Sequence, residues 1–314
     1  MPAFPHDHTH IGGELMQTEE VTFYSDGLKL DGAFHLPDDY DPNRQYPLII
    51  PCSGFTGLRK IHPERFARYL TKHGFLCFSF DYRGFGESEG IRRRVILEEQ
   101  VRDLLHAVGF VEADPRVKKD RLILLGWGMG AGVILDAARE LLGVIGLIAV
   151  NGLYSGKRVQ AAHHTTDGFL EFRDRVRADY TARAQSGEVR WDDPFYYYPL
   201  DKQSRKYVEE ELRRHPDYDI ETYSGELADS LLRWYPEAHA AYMRTPILIA
   251  HGTQNALHPL AEAEALFSAY GGPKELYLIE GAGHTEWMFD ENAHFLKLNR
   301  RILNWIEALL KYDD

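Results

Sequence analysis

The sequence has little positive charge, no long apolar run and almost no cysteine, and each shortage excludes a class of protein. In 314 residues, Lys and Arg number 36 against 48 for Asp and Glu, which leaves a formal net charge of -12. Nucleic acids and anionic membranes attract basic surfaces, so neither is expected as a partner. No stretch is apolar for long enough to span a bilayer, and the N-terminus lacks the basic-then-apolar order of a signal peptide. We therefore expect a soluble, cytoplasmic protein.

Cysteine occurs only twice, as Cys52 and Cys77, and both positions fall inside apolar stretches that are typical of buried strands. A buried cysteine outside an oxidising compartment behaves as a small reduced hydrophobe. The sequence therefore predicts two free thiols in the core and no disulfide.

Histidine, by contrast, clusters near the N-terminus, where His6, His8 and His10 alternate with other residues. Alternating histidines can chelate a divalent metal ion, but a structural site usually needs four ligands and no others follow nearby. We interpret them as a chance cluster in an N-terminal arm of residues 1–20. The sequence predicts neither a metal site nor a cofactor.

Apolar segments alternate with segments of helical periodicity along most of the chain. The segments 21–24 and 28–36 flank the turn Ser25-Asp26-Gly27 and predict a hairpin. Further strands are predicted at 46–50, 75–80, 122–125, 144–150, 246–250 and 275–279, and helices at 63–73, 96–112, 131–142, 261–270 and 295–310. Apolar strands that alternate with helices indicate a mostly parallel sheet with helices on both faces.

The alternation stops after residue 150 and resumes at residue 246. The stretch between is helical, charged and rich in aromatic residues, including Trp191, Trp234 and the run 195–198. We interpret it as a helical lid that is inserted into an α/β core of residues 21–150 and 246–314. Most of its aromatic residues are expected to pack within the lid, and a few to roof an apolar pocket.

The glycine-rich turn after the predicted strand at 122–125 is the most informative stretch. It reads Gly126-Trp127-Gly128-Met129-Gly130. A strand that turns sharply into a helix, with glycines on both sides of one exposed residue, is the nucleophile-elbow pattern Gly-x-Ser-x-Gly. Here Gly128 occupies the serine position, so the pattern is complete except for its nucleophile.

Three other segments accompany this turn in a characteristic order. They are Ser53-Gly54-Phe55-Thr56-Gly57, Asp81-x-Arg83-Gly84-x-Gly86-x-Ser88 and Gly281-Ala282-Gly283-His284. With these segments the chain resembles the α/β-hydrolase superfamily along nearly its whole length, and within it the lidded dienelactone-hydrolase-like and peptidase-like esterases. The resemblance implies an α/β-hydrolase fold, with a mostly parallel central sheet flanked by helices and a helical lid insertion. It also implies a Ser–Asp–His triad.

That triad is incomplete when it is carried over residue by residue. The histidine matches His284, Gly128 stands at the serine position, and Asn255 stands where the acid is expected after His251-Gly252. Ordinary covalent catalysis by serine is therefore excluded. A triad site without its nucleophile still retains roughly 10³–10⁴-fold catalysis over water, from oxyanion stabilisation and binding.

The resemblance also implies which groups would carry the remaining chemistry. The oxyanion donors would be the backbone N–H of Met129 and one N–H from Phe55 or Thr56, with Trp127 as a further substrate contact.

In this interpretation His284 is the general base, acting on a water or on a proton of the substrate. Asn255 is expected to orient the imidazole by accepting a hydrogen bond from a ring N–H, as asparagine does in Cys-His-Asn sites.

Other candidate groups lie near the matched positions or in the lid. They are Cys52, Ser53, Glu286 and Asp290, and in the lid His163, His164 and Asp167. We interpret Cys52 as core packing. Glu286 is the candidate replacement for the missing acid, but a solvated carboxylate at a helix start is the preferred interpretation. The lid histidines are interpreted as a surface pair rather than as a metal site or a substrate contact.

Three functions remain open at this point. The first is an enzyme that acts on a small, partly apolar carbonyl compound without a covalent serine intermediate. It would hydrolyse an ester, lactone or amide, or begin a lyase or cyclisation step by proton abstraction. The second is a non-catalytic protein that keeps the pocket for a ligand, and the third is an ordinary serine hydrolase inactivated at Gly128 and Asn255. Retention of His284 with the elbow glycines favours the first. The sequence specifies neither the substrate nor the oligomeric state, with a homodimer among the options.

Overall fold

The fold is described from a computed structural model for residues 16–218 and 221–311. The histidine cluster at residues 6–10 lies outside the described residues. In the part of the chain that the structure describes, no helix is both long and apolar enough to cross a membrane. The strands are β1 (Thr18–Ser25), β2 (Leu28–His35), β3 (Tyr46–Cys52), β4 (Leu76–Phe80), β5 (Val117–Trp127), β6 (Val144–Val150), β7 (Trp191–Asp192), β8 (Tyr223–Ser224), β9 (Ile247–Gly252) and β10 (Lys274–Ile279).

Helices follow most of the strands, as the alternating pattern predicts. They are α1 (Pro63–Thr71), α2 (Leu97–Glu112), α3 (Met129–Ala137), α4 (Gly156–His163), α5 (Thr166–Ser186), α6 (Pro194–Tyr197), α7 (Lys202–Glu210), α8 (Glu226–Arg233), α9 (Leu260–Ala269) and α10 (Ala293–Lys311), with short 3-10 helices at Leu212–Arg214 and Pro236–Tyr242.

Eight strands form one twisted sheet in the order β1-β2-β4-β3-β5-β6-β9-β10. The β1–β2 and β2–β4 pairs are antiparallel, and the other neighbouring strands are parallel. The strands β3, β4 and β6 are buried along almost their whole length because helices cover both faces of the sheet. The predicted mostly parallel sheet flanked by helices is confirmed, and so is the α/β-hydrolase fold.

The two cysteines lie where the sequence predicts them. Cys52 ends β3, Cys77 lies in β4, and both thiols are free and buried. Burial raises the pKa of both thiols, so neither is a thiolate at neutral pH.

The helix after the glycine-rich turn differs from its predicted bounds of 131–142. It begins at Met129, because Gly128 alone supplies the positive φ of the turn, and it ends at Ala137. Leu142, predicted to close the helix, is fully exposed in the turn that leads into β6. Because Leu142 is apolar, the sequence pattern predicts that it lies on the buried face of the helix, but in the folded chain it lies outside the core.

Residues 151–245 contribute no strand to the eight-stranded sheet in their described part. This 151–245 segment contains α4 to α8 and the small antiparallel pair of β7 and β8. Arg158, near its start, pairs with Glu262 of the core. Arg94 of the core pairs with Glu226 in α8 at 2.7 Å. Ion pairs therefore tie both ends of the segment to the core.

Candidate functional site

The glycine-rich turn forms the junction between β5 and α3. Gly128 has φ 57° and ψ -119°, a backbone conformation that residues with a side chain adopt only under strain. A Cβ at Gly126 would overlap with the Gly130 carbonyl, and a Cβ at Gly130 would overlap with the Ser53 carbonyl. Those two glycines are therefore required by close backbone contact. A Cβ at Gly128 would meet its nearest neighbour at 3.5 Å, which is an ordinary contact. The turn has room for a side chain at its central position.

His284 is the group nearest to that central position. Its Nε2 lies 3.5 Å from the place that a Gly128 Cβ would take. Its ring is buried between Trp127 and His258, with ring centroids 5.4 and 4.6 Å away. Burial, with smaller contributions from neighbouring histidines, lowers the pKa of His284 well below 6.5. At neutral pH the imidazole is therefore uncharged, and one of its ring nitrogens carries a free lone pair.

Among the described residues, the Asn255 side chain makes no hydrogen bond to the His284 ring. Its Oδ1 accepts from the His258 backbone N–H at 2.9 Å, and its Nδ2 lies 3.3 Å from His251 Nε2. His284 Nδ1 is buried and has no hydrogen-bond partner among the described residues. The prediction that Asn255 orients the imidazole therefore does not hold in this structure. The amide instead stabilises its own loop after β9.

The two carboxylates that follow His284 are engaged elsewhere. Glu286 accepts a hydrogen bond from the Gly283 N–H, and its Oε2 is buried without a partner among the described residues. The Glu286 carboxylate is therefore partly buried, and the sequence-based expectation of a solvated carboxylate is wrong. Asp290 pairs with Arg68 at 3.0 Å. Neither carboxylate takes the place of the missing acid at His284 Nδ1.

The two candidate nucleophiles at the start of the loop of residues 53–57, Cys52 and Ser53, are both buried. The Cys52 thiol points to the Ile50 carbonyl at 3.6 Å, in agreement with core packing. Ser53 Oγ is buried and lies 3.3 Å from Thr56 Oγ1. Of this group, only Thr56 lines the pocket described below.

The histidine pair of the 151–245 segment is not among the residues that line the pocket described below. Both residues are half-buried rather than on the open surface. His163 Nε2 lies 2.8 Å from the Leu257 carbonyl, and His164 stacks on Phe172 at 5.3 Å. The described residues contain no group of three or more His, Cys, Asp or Glu side chains that could hold a metal ion.

The loop after β3 lies against the elbow, as the resemblance implies. Gly54 approaches so closely that a Cβ on it would lie 2.8 Å from the Trp127 carbonyl and 3.5 Å from Met129 N. Met129 is the first residue of α3, so its N–H has no acceptor within the helix. The Phe55 carbonyl accepts from the Tyr223 hydroxyl at 3.0 Å, which holds the loop in place. The loop that carries Phe55 and Thr56 therefore lies close to the Met129 N–H, as a pair of oxyanion donors from the two segments would require.

Sequence reasoning missed His258, which lies on another side of the elbow. Its Cε1 would be 3.9 Å from a Gly128 Cβ. Its Nδ1 donates to the Asn151 carbonyl at 2.6 Å, and its Nε2 accepts from the Tyr198 hydroxyl. Burial lowers the pKa of His258 to about 3, so it is uncharged at neutral pH. Because both ring nitrogens are occupied, His258 is not a free base, whereas His284 is.

One signal in the sequence could have drawn attention to His258. The resemblance implies the pattern His-Gly-x-x-Asp-x-x-Val-Pro around the triad acid, with an apolar residue before the proline. In this chain the residue before Pro259 is His258 instead.

Asn151 connects the loops that carry the two histidines. It follows β6 with a φ of 49°, a left-handed conformation that asparagine tolerates better than most residues. Its Nδ2 donates to the His284 carbonyl at 2.8 Å, and its Oδ1 accepts from the Gly252 N–H at 2.9 Å. With its own carbonyl on His258, this residue positions both imidazoles.

Replacing Asn151 with alanine is expected to lower the free energy of unfolding by about 1–3 kcal/mol. The change leaves the Gly252 N–H and the His284 carbonyl buried without the partners they have now. Urea unfolding of Asn151→Ala, compared with Asn43→Ala in an exposed turn, measures the effect. Equal losses in the two variants would contradict the positioning role.

A pocket opens between the elbow and the 151–245 segment. The core side of its wall is formed by Phe55, Thr56, His62, Trp127, Gly128, Met129, Leu257, His284 and Thr285. The other side is formed by Phe195, Tyr198, Leu200, Ser204, Tyr207, Val208, Leu212 and Tyr218. None of these described residues is Asp, Glu, Lys or Arg. The structure thus brings the predicted site residues together, with the exception of Asn255.

Comparisons with known proteins agree with this architecture. The family model Hydrolase_4, described as serine aminopeptidase, S33, matches residues 48–292. The uncharacterized protein YfhR of Salmonella typhi is 31% identical over 306 residues, which cover 97% of this chain and 86% of that protein. The polyketide transferase ATR5 of Stachybotrys chlorohalonatus is 24% identical over 313 residues, which cover 95% of this chain and 99% of that protein.

Solved structures resemble the fold as well. The crystal structure of the α/β hydrolase GrgF from Penicillium sp. sh18 has a TM-score of 0.76 at 21% identity. The match covers 93% of this chain and 99% of that chain.

Proposed function

The chain belongs to the serine aminopeptidase S33 family of α/β-hydrolases, and on this premise we propose that it is an enzyme acting on small, uncharged, partly apolar carbonyl compounds. It would do so without a covalent serine intermediate, with His284 as general base. The observation that carries the proposal is the position of His284 Nε2, 3.5 Å from the place of a Gly128 Cβ. A reacting group bound in that space lies within reach of an uncharged, uncommitted imidazole nitrogen.

Hydrolysis at this site would proceed by direct addition of water to the substrate carbonyl. The water oxygen bonds to the carbonyl carbon while His284 Nε2 takes one water proton. The resulting oxyanion is stabilised by the backbone N–H groups of Met129 and Phe55. When the bond to the leaving oxygen breaks, that oxygen takes the proton from His284, which regenerates the uncharged base and releases an acid and an alcohol.

Other acceptors would use the same base. An alcohol or enol in place of water would give acyl transfer, which fits the name of the polyketide transferase relative. An internal acceptor would give cyclisation. In each case His284 removes a proton from the attacking group, and no side chain has to become a nucleophile.

The pocket wall supports an uncharged substrate. No described residue of the wall carries a formal charge, and burial lowers the pKa of His62 to about 3 and of His284 well below 6.5. Placing a carboxylate or an ammonium ion there would cost several kcal/mol of uncompensated desolvation. An aminopeptidase must bind the free α-ammonium group of a peptide, so this pocket favours neutral esters or lactones over peptides.

A matched pair of esters tests this proposal. Methyl 4-acetoxybenzoate and 4-acetoxybenzoate present the same acetyl ester, and the second carries an ionised carboxylate where the first carries an uncharged methyl ester. We expect kcat/KM to be at least about 10-fold higher for the neutral ester, because only the anion must be desolvated without a partner. Equal values, or faster cleavage of leucine p-nitroanilide than of the neutral ester, would rule out the proposed substrate class.

A second function is favoured by one observation. His284 Nδ1 has no hydrogen-bond partner among the described residues, so no group there stabilises an imidazolium. A protein that binds a neutral carbonyl compound without turning it over would tolerate that arrangement. Binding of the neutral ester without product formation, with the same Kd in His284→Ala, would favour this function.

A further inference from the structure

Tyr198 is a wall residue of the pocket that belongs to the 151–245 segment. It directly follows α6, is buried, and stacks on Phe55 of the loop at residues 53–57 with ring centroids 5.0 Å apart. Its hydroxyl is hydrogen-bonded to His258 Nε2, and the adjacent His258 Cε1 would lie 3.9 Å from a Gly128 Cβ. Tyr198 therefore lines the same pocket as His284, and its hydroxyl is bound to the histidine that lies next to the elbow.

The partners of His258 determine the direction of the hydrogen bond to Tyr198. A carbonyl oxygen only accepts hydrogen bonds, so His258 Nδ1, 2.6 Å from the Asn151 carbonyl, must carry a proton. In an uncharged imidazole the other nitrogen then has a lone pair and no proton. The Tyr198 hydroxyl therefore donates to His258 Nε2.

The proton stays on the phenol in this pair. Burial raises the pKa of Tyr198 well above 10 and lowers the pKa of His258 to about 3. Transfer of the proton would create a buried phenolate and a buried imidazolium, so the pair remains uncharged. With its only proton committed to His258, the Tyr198 oxygen can act towards a ligand only as a hydrogen-bond acceptor.

We propose that Tyr198 is a specificity-determining residue, whose phenol oxygen selects ligands that bring a hydroxyl group to the pocket. The proposal rests on the proposed function in one respect only, namely that ligands bind in this pocket. A ligand hydroxyl can donate to the Tyr198 oxygen. A methyl ether at the same place has no proton to donate, so its oxygen lone pairs would face those of the Tyr198 oxygen. The ligand class is thus an uncharged, partly apolar compound with a free hydroxyl group.

Equilibrium binding tests the inference without any turnover. The probes are 4-fluorophenol and 4-fluoroanisole, in which a methyl group replaces the hydroxyl proton, and the measurement is a fluorine NMR titration of each. We expect the wild-type protein to bind the phenol about 10-fold more tightly, as a neutral hydrogen bond to a buried acceptor allows. In Tyr198→Phe the two dissociation constants should differ by less than about 2-fold.

Tyr197→Phe provides the matched control. Tyr197 is the neighbouring tyrosine, it is not among the residues that line the pocket, and its hydroxyl donates to Asp192 at 2.7 Å. This variant should keep the wild-type preference for the phenol. A preference that survives in Tyr198→Phe, is lost equally in Tyr197→Phe, or is absent from the wild type would overturn the inference.

The same titration separates this inference from the proposed function. His284→Ala should lose turnover and also removes a second possible acceptor from the pocket, but it should still bind the phenol more tightly than the anisole because the Tyr198 oxygen remains. If turnover is absent in the wild type but the preference depends on Tyr198, the enzymatic proposal fails and the specificity role stands. If turnover depends on His284 but the preference does not depend on Tyr198, the opposite conclusion follows.

Discussion

Replacing His284 with alanine is expected to lower kcat/KM for a neutral aryl ester by about 10²–10⁴-fold. His284 Nε2 has no hydrogen bond from any described residue and faces the elbow, whereas His258 has both ring nitrogens committed. Without it, water or another acceptor must attack without proton removal. Initial rates with methyl 4-acetoxybenzoate measure the loss. His239→Ala, at an exposed histidine of the 151–245 segment, is the control and should retain wild-type activity.

The pH profile of the wild-type enzyme gives a second measure of the same role. The folded pKa of His284 is depressed, so its basic form persists as the pH falls below 6.5. We therefore expect kcat/KM to stay level from about pH 8 to below 6.5 and to fall only in more acidic buffer, where the imidazole becomes protonated. A decline centred at 6.5 or above would mean that the base is not this buried imidazole. Activity that persists in His284→Ala would exclude it as well.

Replacing Gly128 with serine is expected to create a nucleophile that is acylated rapidly by an activated ester and deacylated only slowly. The new Cβ would lie 3.5 Å from His284 Nε2 and 3.9 Å from His258 Cε1, so the side chain fits and its hydroxyl is within hydrogen-bond reach of the base. With p-nitrophenyl acetate we expect a burst of about one product per protein molecule, followed by slow turnover. Without a residue to stabilise the imidazolium, steady-state turnover should remain about 10⁴-fold below that of a complete triad. The positive φ at this position should lower the stability by about 1–3 kcal/mol.

Gly128→Ala separates the chemistry from the strain, because it adds the same Cβ without the hydroxyl. It should lose stability to a similar extent and show no burst. Asn255→Asp should add nothing to Gly128→Ser, because the side chain at 255 faces His258 and His251 rather than His284. Esterase activity that appears only in the double variant would instead indicate a dismantled triad, and the binding function would then be the better account. If the Gly128→Ser protein folds but shows no burst, the carbonyl group of the substrate does not bind next to Gly128 and His284.

Much of the fold was predictable because it rests on local patterns. Apolar strands that alternate with helices specify the parallel sheet, and the spacing of Gly126, Gly128 and Gly130 specifies the turn between β5 and α3. Backbone contacts at two of these glycines leave no room for a side chain, so their presence has a local physical cause. The helix end at Ala137 was mispredicted because Leu142 is apolar but exposed, which the pattern alone does not reveal.

The partners of polar groups were less predictable because they are separated in sequence. His258 binds the Asn151 carbonyl 107 positions away and the Tyr198 hydroxyl 60 positions away. No spacing rule joins such residues, and the matching position of Asn255 suggested a partner that its side chain does not contact.

By itself the sequence determined the α/β-hydrolase fold and the sharp turn at Gly128, and it pointed to His284 as a candidate site residue, because these follow from short patterns with strong backbone requirements. Only the tertiary structure decided that Asn255 is used within its own loop, that Asn151 joins the two histidine loops and that the Tyr198 hydroxyl binds His258. Hydrogen bonds between buried groups depend on which atoms the packed chain brings within about 3 Å of each other, and that is a property of the whole fold.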